Sequence, residues 1–298
     1  MVKNKPKAPL GASLVILSSA FYASYGIWTK LMGNYFGGYT ASAIRSYLVI
    51  LILLPLAILY RKIGHFKLKS TWSYWLGLIG FSFFIWGPLY FAILHAGIGI
   101  SISLNYACYI IGMFILGSLF ANEKFTKDKF LSAILGLLGI SLIFAHSISS
   151  FGWTALLAAA LSGVCAAGVT FFTKIIPYEA TQTTLSLWIS SAIANTIMIF
   201  VVSEHIPSLS LSKEWLYLII FAIASIIASW CLIRGLKLID AGVAGILGLS
   251  EIVFGLIFGV LFFGEHLNNV EILGVLVIIS AAAIPYIKEL SKHKRVTS

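Results

Sequence analysis

Ten apolar stretches, each near the roughly 20 residues that a helix needs to cross a bilayer, follow one another along the chain. Backbone polar groups in lipid must be hydrogen-bonded within the segment, and the chain lacks the residue alternation of a strand barrel, so each stretch is predicted to be a helix. The predicted spans are 10–29, 41–60, 72–94, 97–120, 130–147, 152–173, 181–203, 215–236, 241–263 and 270–287. Sixty percent of the 298 residues are hydrophobic and 10% are charged, against about 25% charged residues in soluble domains. The sequence therefore predicts an all-α membrane protein.

The basic residues orient these ten spans. If the N-terminus is cytoplasmic, 17 of the 20 Lys and Arg residues lie on the cytoplasmic side, and the other three are Lys30, Arg45 and Lys213. Such a bias is typical of the cytoplasmic loops of membrane proteins. We therefore expect a multi-pass protein of the bacterial inner (plasma) membrane with both termini in the cytoplasm.

An internal repeat divides the chain into halves. Residues 28–30 (Trp-Thr-Lys) match 172–174 (Phe-Thr-Lys), and the Gly-to-Glu segment 117–123 matches 259–265. These matches predict two five-helix repeats, 1–148 and 149–298. Because five is an odd number, the second repeat enters the membrane in the opposite orientation, which is a recurrent architecture of secondary transporters. A duplicated scaffold that serves an enzyme or a channel is the alternative.

Two segments carry a resemblance to a known family. Residues 114–126 and 255–267 are each an apolar helix that ends in a Glu before the next helix, and the second reads Gly-Glu-His-Leu. In these motifs the chain resembles the EamA-type members of the drug/metabolite transporter superfamily along nearly its whole length. Arg45 also resembles a recurrent Arg of that family.

The sequence departs from the family pattern at three positions. Asn122 stands where Gly commonly precedes the Glu, and Ile110 and Ile252 stand where members often carry Pro. The resemblance nevertheless implies a transporter that moves small organic solutes, often outward, through a central cavity lined by helices of both halves. It leaves the substrate open.

Glu251 is an acidic residue close to the middle of the ninth span. A charged residue at that depth costs roughly 3 kcal/mol on insertion scales and usually faces a cavity or a polar partner. We expect Glu251 to bind a substrate amine or to couple transport to protons, although pairing with a polar group on a neighbouring helix is the simpler alternative.

Polar and aromatic side chains recur at helical spacing within several spans, which places them on common helix faces. Aromatic rings suit planar or cationic groups, and polar groups orient a substrate by hydrogen bonds; the same polar side chains also join neighbouring membrane helices. Besides Glu251, the predicted substrate-binding residues are Tyr22, Tyr25, Trp86, Tyr90, Asn105, Tyr106, Trp188 and Trp230. Lys30 and Arg45 are predicted to lie at the outer mouth, where their long side chains snorkel to water or attract anions.

Other classes of function find little support in the sequence. No metal, esterase or nucleotide-binding motif is present, so we expect no enzyme activity, no metal and no cofactor. The basic residues lie in short clusters between spans, which indicates contact with membrane lipid and no nucleic acid. We favour export or exchange of amino-acid-like metabolites by alternating access, as a monomer or homodimer. The alternatives are proton-coupled efflux of drugs or lipophilic cations and, in another class, a membrane enzyme or channel.

Overall fold

The structure is a computed structural model that describes residues 8–33, 35–62, 64, 68–96, 98–124, 126–144, 152–208, 212–264 and 266–297. Within these ranges the regular structure is entirely helical, as predicted. The helices are α1 (Ala8–Ala23), α2 (Tyr25–Met32), α3 (Gly38–Leu59), α4 (Leu68–Ser82), α5 (Trp86–Ala96), α6 (Ile98–Ala121), α7 (Lys127–Ile143), α8 (Trp153–Ile175), α9 (Ala180–Val202), α10 (Lys213–Leu236), α11 (Ala241–Gly248), α12 (Ser250–Phe263) and α13 (Asn269–Thr297).

Seven segments of the described chain are long and apolar enough to cross a membrane, so the protein is a multi-pass membrane protein. They are Ala8–Met32, Gly38–Leu59, Ile100–Ala121, Trp153–Ile175, Ala180–Val202, Lys213–Leu236 and Ala241–Phe263. The other three predicted spans are shorter here. The third is divided between α4 and α5, the fifth corresponds to the 17 residues of α7, and the tenth corresponds to the apolar part of α13, Asn269–Ile284.

Pro88 explains the interruption between α4 and α5. A proline lacks the amide hydrogen and its ring collides with the carbonyl four residues earlier, which here belongs to Phe84. The chain accordingly leaves the helix at 83–85 and resumes it at Trp86. A milder break separates α11 from α12 at Leu249, whose backbone remains in the right-handed helical region. Glu251 follows this break in the first turn of α12.

Two helix ends adopt the same left-handed conformation. Asn122, just after α6, has φ 52°, and Gly264, just after α12, has φ 65°. Glycine takes this conformation without strain, and Asn is one of the few other residues that visit it routinely. Asn122 therefore retains the turn that a Gly would make at this position.

The helices of the N-terminal half pack mainly against those of the C-terminal half. The most extensive contacts join α7 to α13, α6 to α8, α1 to α10 and α3 to α9. Small residues bring some of these helices close together: a Cβ added at Gly139 of α7 would lie 2.8 Å from the carbonyl oxygen of Gly274 in α13. The interior of the protein consequently lies between the two halves.

Candidate substrate cavity

A cavity of about 130 Å³ is lined by residues of α1 to α5 and of α8 to α10. Its wall combines aromatic rings, hydroxyl groups and aliphatic side chains with one charged group, Arg45. Helices of both halves contribute. The lining residues are Tyr22, Tyr25, Arg45, Ser82, Ile85, Trp86, Val169, Thr170, Thr173, Leu187, Trp188, Ser191, Leu232 and Ile233.

Arg45 lies inside an aromatic box at this cavity. Its guanidinium carbon is 4.3 Å from the ring centre of Phe221, 4.9 Å from that of Tyr25, and 5.4 Å from those of Trp86 and Trp188. These distances are within cation–π range. The residue is 3% exposed, so it is not the snorkelling side chain predicted from the sequence. Arg45 lies two turns into α3, where rings from four other helices enclose it.

Glu251 lies next to a second group of aromatic residues. Tyr106 and Tyr109 both interact electrostatically with its carboxylate. Tyr22 and Tyr25 interact electrostatically with both Glu251 and Arg45. Tyr22 and Tyr25 line the cavity, whereas Glu251 and Tyr106 are not among its lining residues.

Two of the predicted site residues take part in helix packing away from the cavity wall. The Asn105 amide donates to the Ser162 hydroxyl at 2.9 Å, and that hydroxyl donates to the carbonyl oxygen of Ile85 at 2.6 Å. The Trp230 indole donates to Thr181 at 3.3 Å. Neither residue lines the cavity described above.

The remaining predicted residues have the following positions. Tyr22, Tyr25, Trp86 and Trp188 line the cavity with Arg45. Lys30 lies in α2 with its ammonium 4.2 Å from the ring centre of Phe263. Tyr90 belongs to α5, but its side chain is outside those that the structure describes.

An EamA-like transporter family model matches residues 9–145 and again residues 153–286. Together these matches cover nearly the whole chain. The chain belongs to the EamA-like transporter family. A transporter is therefore the appropriate general description of this protein.

Relatives of this EamA-like transporter carry names that give no substrate. Two proteins of Helicobacter pylori, one from strain J99 and one from strain 26695, are both named "Uncharacterized transporter". Each is 24% identical to this chain and covers 95% of it and 97% of its own length. A protein of known crystal structure matches with a TM-score of 0.76 at 17% identity over 92% of this chain and 97% of its own, a likeness in fold alone.

The sequence did not point to several residues of this EamA-like protein that enclose Arg45 or line the cavity. Phe221 forms the closest ring of the Arg45 box, yet it lies within a continuous apolar helix and looks like an ordinary lipid or core residue. Thr170 and Thr173 line the cavity from α8. Their spacing of three residues could have indicated a common face with Lys174 nearby. Among the described residues, no cluster of three or more His, Cys, Asp or Glu side chains could hold a metal ion.

Proposed function

We propose that this EamA-like protein is a secondary active transporter that exports or exchanges amino-acid-like metabolites by alternating access. The observation that carries the proposal is the cavity between the two halves, whose wall holds one buried cation, Arg45, among aromatic and aliphatic side chains. An amino-acid-like solute carries a carboxylate, which matches the positive charge of Arg45. The aromatic and aliphatic wall suits the side chain of such a solute.

The proposal includes ten membrane passages in two inverted repeats, 1–148 and 149–298. Four left-handed residues support the repeat: Asn122 and Gly264 are 142 positions apart, and so are Arg61 and Ser203, which follow α3 and α9. The family model also matches each half once. An odd number of passages per repeat inverts the second relative to the first, which creates two alternative closures around one site.

Helix packing is consistent with this symmetry. In the two repeats α1 corresponds to α8, α3 to α9, α4 and α5 to α10, α6 to α11 and α12, and α7 to α13. The contact of α6 with α8 therefore corresponds to the contact of α12 with α1, and both contacts occur. The contact of α1 with α10 corresponds in the same way to the contacts of α8 with α4 and α5, and these contacts also occur. The contacts of α3 with α9 and of α7 with α13 each join equivalent helices of the two repeats, so exchanging the repeats leaves them unchanged.

We further propose that the protein resides in a bacterial inner membrane with both termini in the cytoplasm, because that orientation places 17 of its 20 Lys and Arg residues on the cytoplasmic side. Proton coupling through Glu251 belongs to the same proposal. The second candidate function is proton-coupled efflux of lipophilic cations, which the aromatic rings and the Glu251 carboxylate favour.

Counterflow into liposomes that contain the purified full-length protein tests the proposal. The liposomes are loaded with an unlabelled mixture of amino acids, and uptake of the labelled mixture is compared with uptake of tetraphenylphosphonium. We expect saturable amino acid uptake that depends on the internal load, with empty liposomes as the control. Saturable uptake of the cation alone favours the second candidate, and flux that does not saturate indicates a channel.

A further inference from the structure

Among the described residues, no ion pair involves the buried guanidinium of Arg45. Arg45 is 3% exposed, and the ion pairs found in the described part of the chain involve other residues. An arginine side chain stays protonated in proteins, so its positive charge persists inside the bundle. Burying a charge is unfavourable unless other groups compensate for it.

The aromatic box compensates for only part of this loss. The faces of the rings carry negative electrostatic potential, and the four rings described above lie within 5.4 Å of the guanidinium carbon. Rings do not accept the in-plane hydrogen bonds that the N–H groups of a guanidinium prefer. The Nε atom of Arg45 is buried and has no hydrogen-bond partner in the part of the chain that the structure describes.

An occupant of the cavity is in a position to supply the missing acceptor. Arg45 lines the cavity, together with Tyr25, Trp86 and Trp188 of its box. The rings hold the guanidinium in one orientation, and its planar N–H groups match the two oxygens of a carboxylate. A lysine in the same place would offer a point charge without this planar match.

We propose that Arg45 binds a carboxylate group of the transported solute, and that it thereby selects small carboxylate-bearing solutes over their neutral amides. This inference rests on the transport function proposed above and specifies its substrate. A cavity of about 130 Å³ restricts the class to small solutes in the conformation described here.

Paired probes test this assignment. Each of the 20 common amino acids is compared with its own α-carboxamide, which keeps the side chain and the ammonium but lacks the negative charge. Binding to the full-length protein in detergent is measured by thermal stabilisation and by the fluorescence of its tryptophans. For the wild type we expect at least one amino acid to bind, and its amide to bind at least tenfold more weakly. If no amino acid binds, or if the amide binds equally well, the proposal is wrong.

Two variants locate the effect. Arg45→Lys keeps the charge and removes the planar fork, so we expect it to lose most of the preference for acid over amide. Arg234→Gln is the matched control, because Arg234 also lies 4.9 Å from a tryptophan ring but is exposed and outside the cavity. It should retain the wild-type preference. If a folded Arg45→Lys protein keeps the wild-type preference for acid over amide, Arg45 does not bind the carboxylate. If that variant does not fold, the comparison of acids with amides in the wild type still tests the proposal.

Counterflow with the same probes separates this inference from the transport function. Saturable flux that does not discriminate acid from amide would overturn carboxylate binding and leave transport intact. Tight, Arg45-dependent binding of an amino acid without saturable flux would contradict the transport function and leave the carboxylate site intact.

Discussion

Lys174 and Glu123 form an ion pair in which the ammonium nitrogen lies 2.5 Å from one carboxylate oxygen. Lys174 is in the last turn of α8, and Glu123 follows the left-handed Asn122 at the end of α6. Lys174 also donates to the carbonyl oxygen of Ile239 at 2.6 Å, and Glu123 accepts from the amide of Ala241 at 2.7 Å. The pair therefore joins the ends of two helices to the start of α11.

Removal of either charge of this pair should destabilise the protein. The two side chains are only 14% and 10% exposed, so the partner left behind would be a poorly solvated charge. We expect Lys174→Met or Glu123→Gln to cost about 2–4 kcal/mol, and the double variant to cost clearly less than the sum. Thermal unfolding of the four proteins in detergent measures this coupling. Lys213→Met, at an exposed lysine, is the control; strictly additive losses at positions 174 and 123 would contradict the expectation.

Gly163 should tolerate no side chain. A Cβ at this position of α8 would overlap the carbonyl oxygen of Asn105 and would lie 2.9 Å from the Cβ of Cys108 in α6. Because backbone atoms cannot move aside cheaply, we expect Gly163→Ala to lose about 1–3 kcal/mol of stability. Gly255→Ala is the matched control, since no atom of the described residues lies within 4 Å of the added Cβ there. Alanine favours a helix over glycine, so the control should be neutral or slightly stabilising in the same thermal unfolding assay.

Lys237 should make the stability depend on pH. Its ammonium lies just after α10 and donates to the carbonyl oxygens of Ile176 at 3.1 Å and Tyr178 at 2.5 Å. Burial lowers the pKa of Lys237 to about 8, and the Glu179 carboxylate partly opposes this shift. The usual pKa of an unfolded lysine is about 10.4, so between these values the unfolded chain binds more protons than the folded one. Stability contributed by this residue therefore rises with pH in that window.

The measurement compares the wild type with Lys237→Met at each pH from about 7 to about 10. Subtracting the two unfolding temperatures removes the contributions of all other titrating groups that the variant leaves unchanged. We expect the difference to shift in favour of the wild type as pH increases. A difference that is constant, or that falls with pH, would show that burial does not lower the pKa of Lys237.

The helices and some of the site could be predicted from the sequence because both depend on local pattern. Apolar length determines the spans, and an isolated carboxylate in an apolar span already points to a polar environment, as for Glu251. The third span shows the limit of length alone, since Pro88 divides it into α4 and α5. Its position in the sequence was visible, but whether the helix would bend or break depended on the packing around it.

Residues whose role depends on distant partners could not be predicted in the same way. Arg45 near a helix start resembles a residue that snorkels to water, and only the folded chain brings Phe221, Trp86 and Trp188 around it. Asn105 has the same polar pattern as a cavity residue, but its partner Ser162 is 57 positions away. Polar side chains that join helices and polar side chains that line cavities are chemically identical, so periodicity does not distinguish them.

Glu251→Gln tests the role of the carboxylate in transport. Glutamine has nearly the same shape as glutamate, so the variant removes the charge and the titratable proton with little change in packing. If Glu251 exchanges protons or binds the substrate ammonium, wild-type counterflow should respond to an imposed pH gradient, and the variant should lose at least tenfold in rate and no longer respond. Glu179→Gln is the control, because Glu179 is exposed at the start of α9. A folded Glu251→Gln protein with the wild-type rate and the wild-type pH response would restrict Glu251 to a structural role. Glutamine has no charge to bind an ammonium and no proton to exchange, so a substrate-binding or proton-coupling role requires that the variant lose activity.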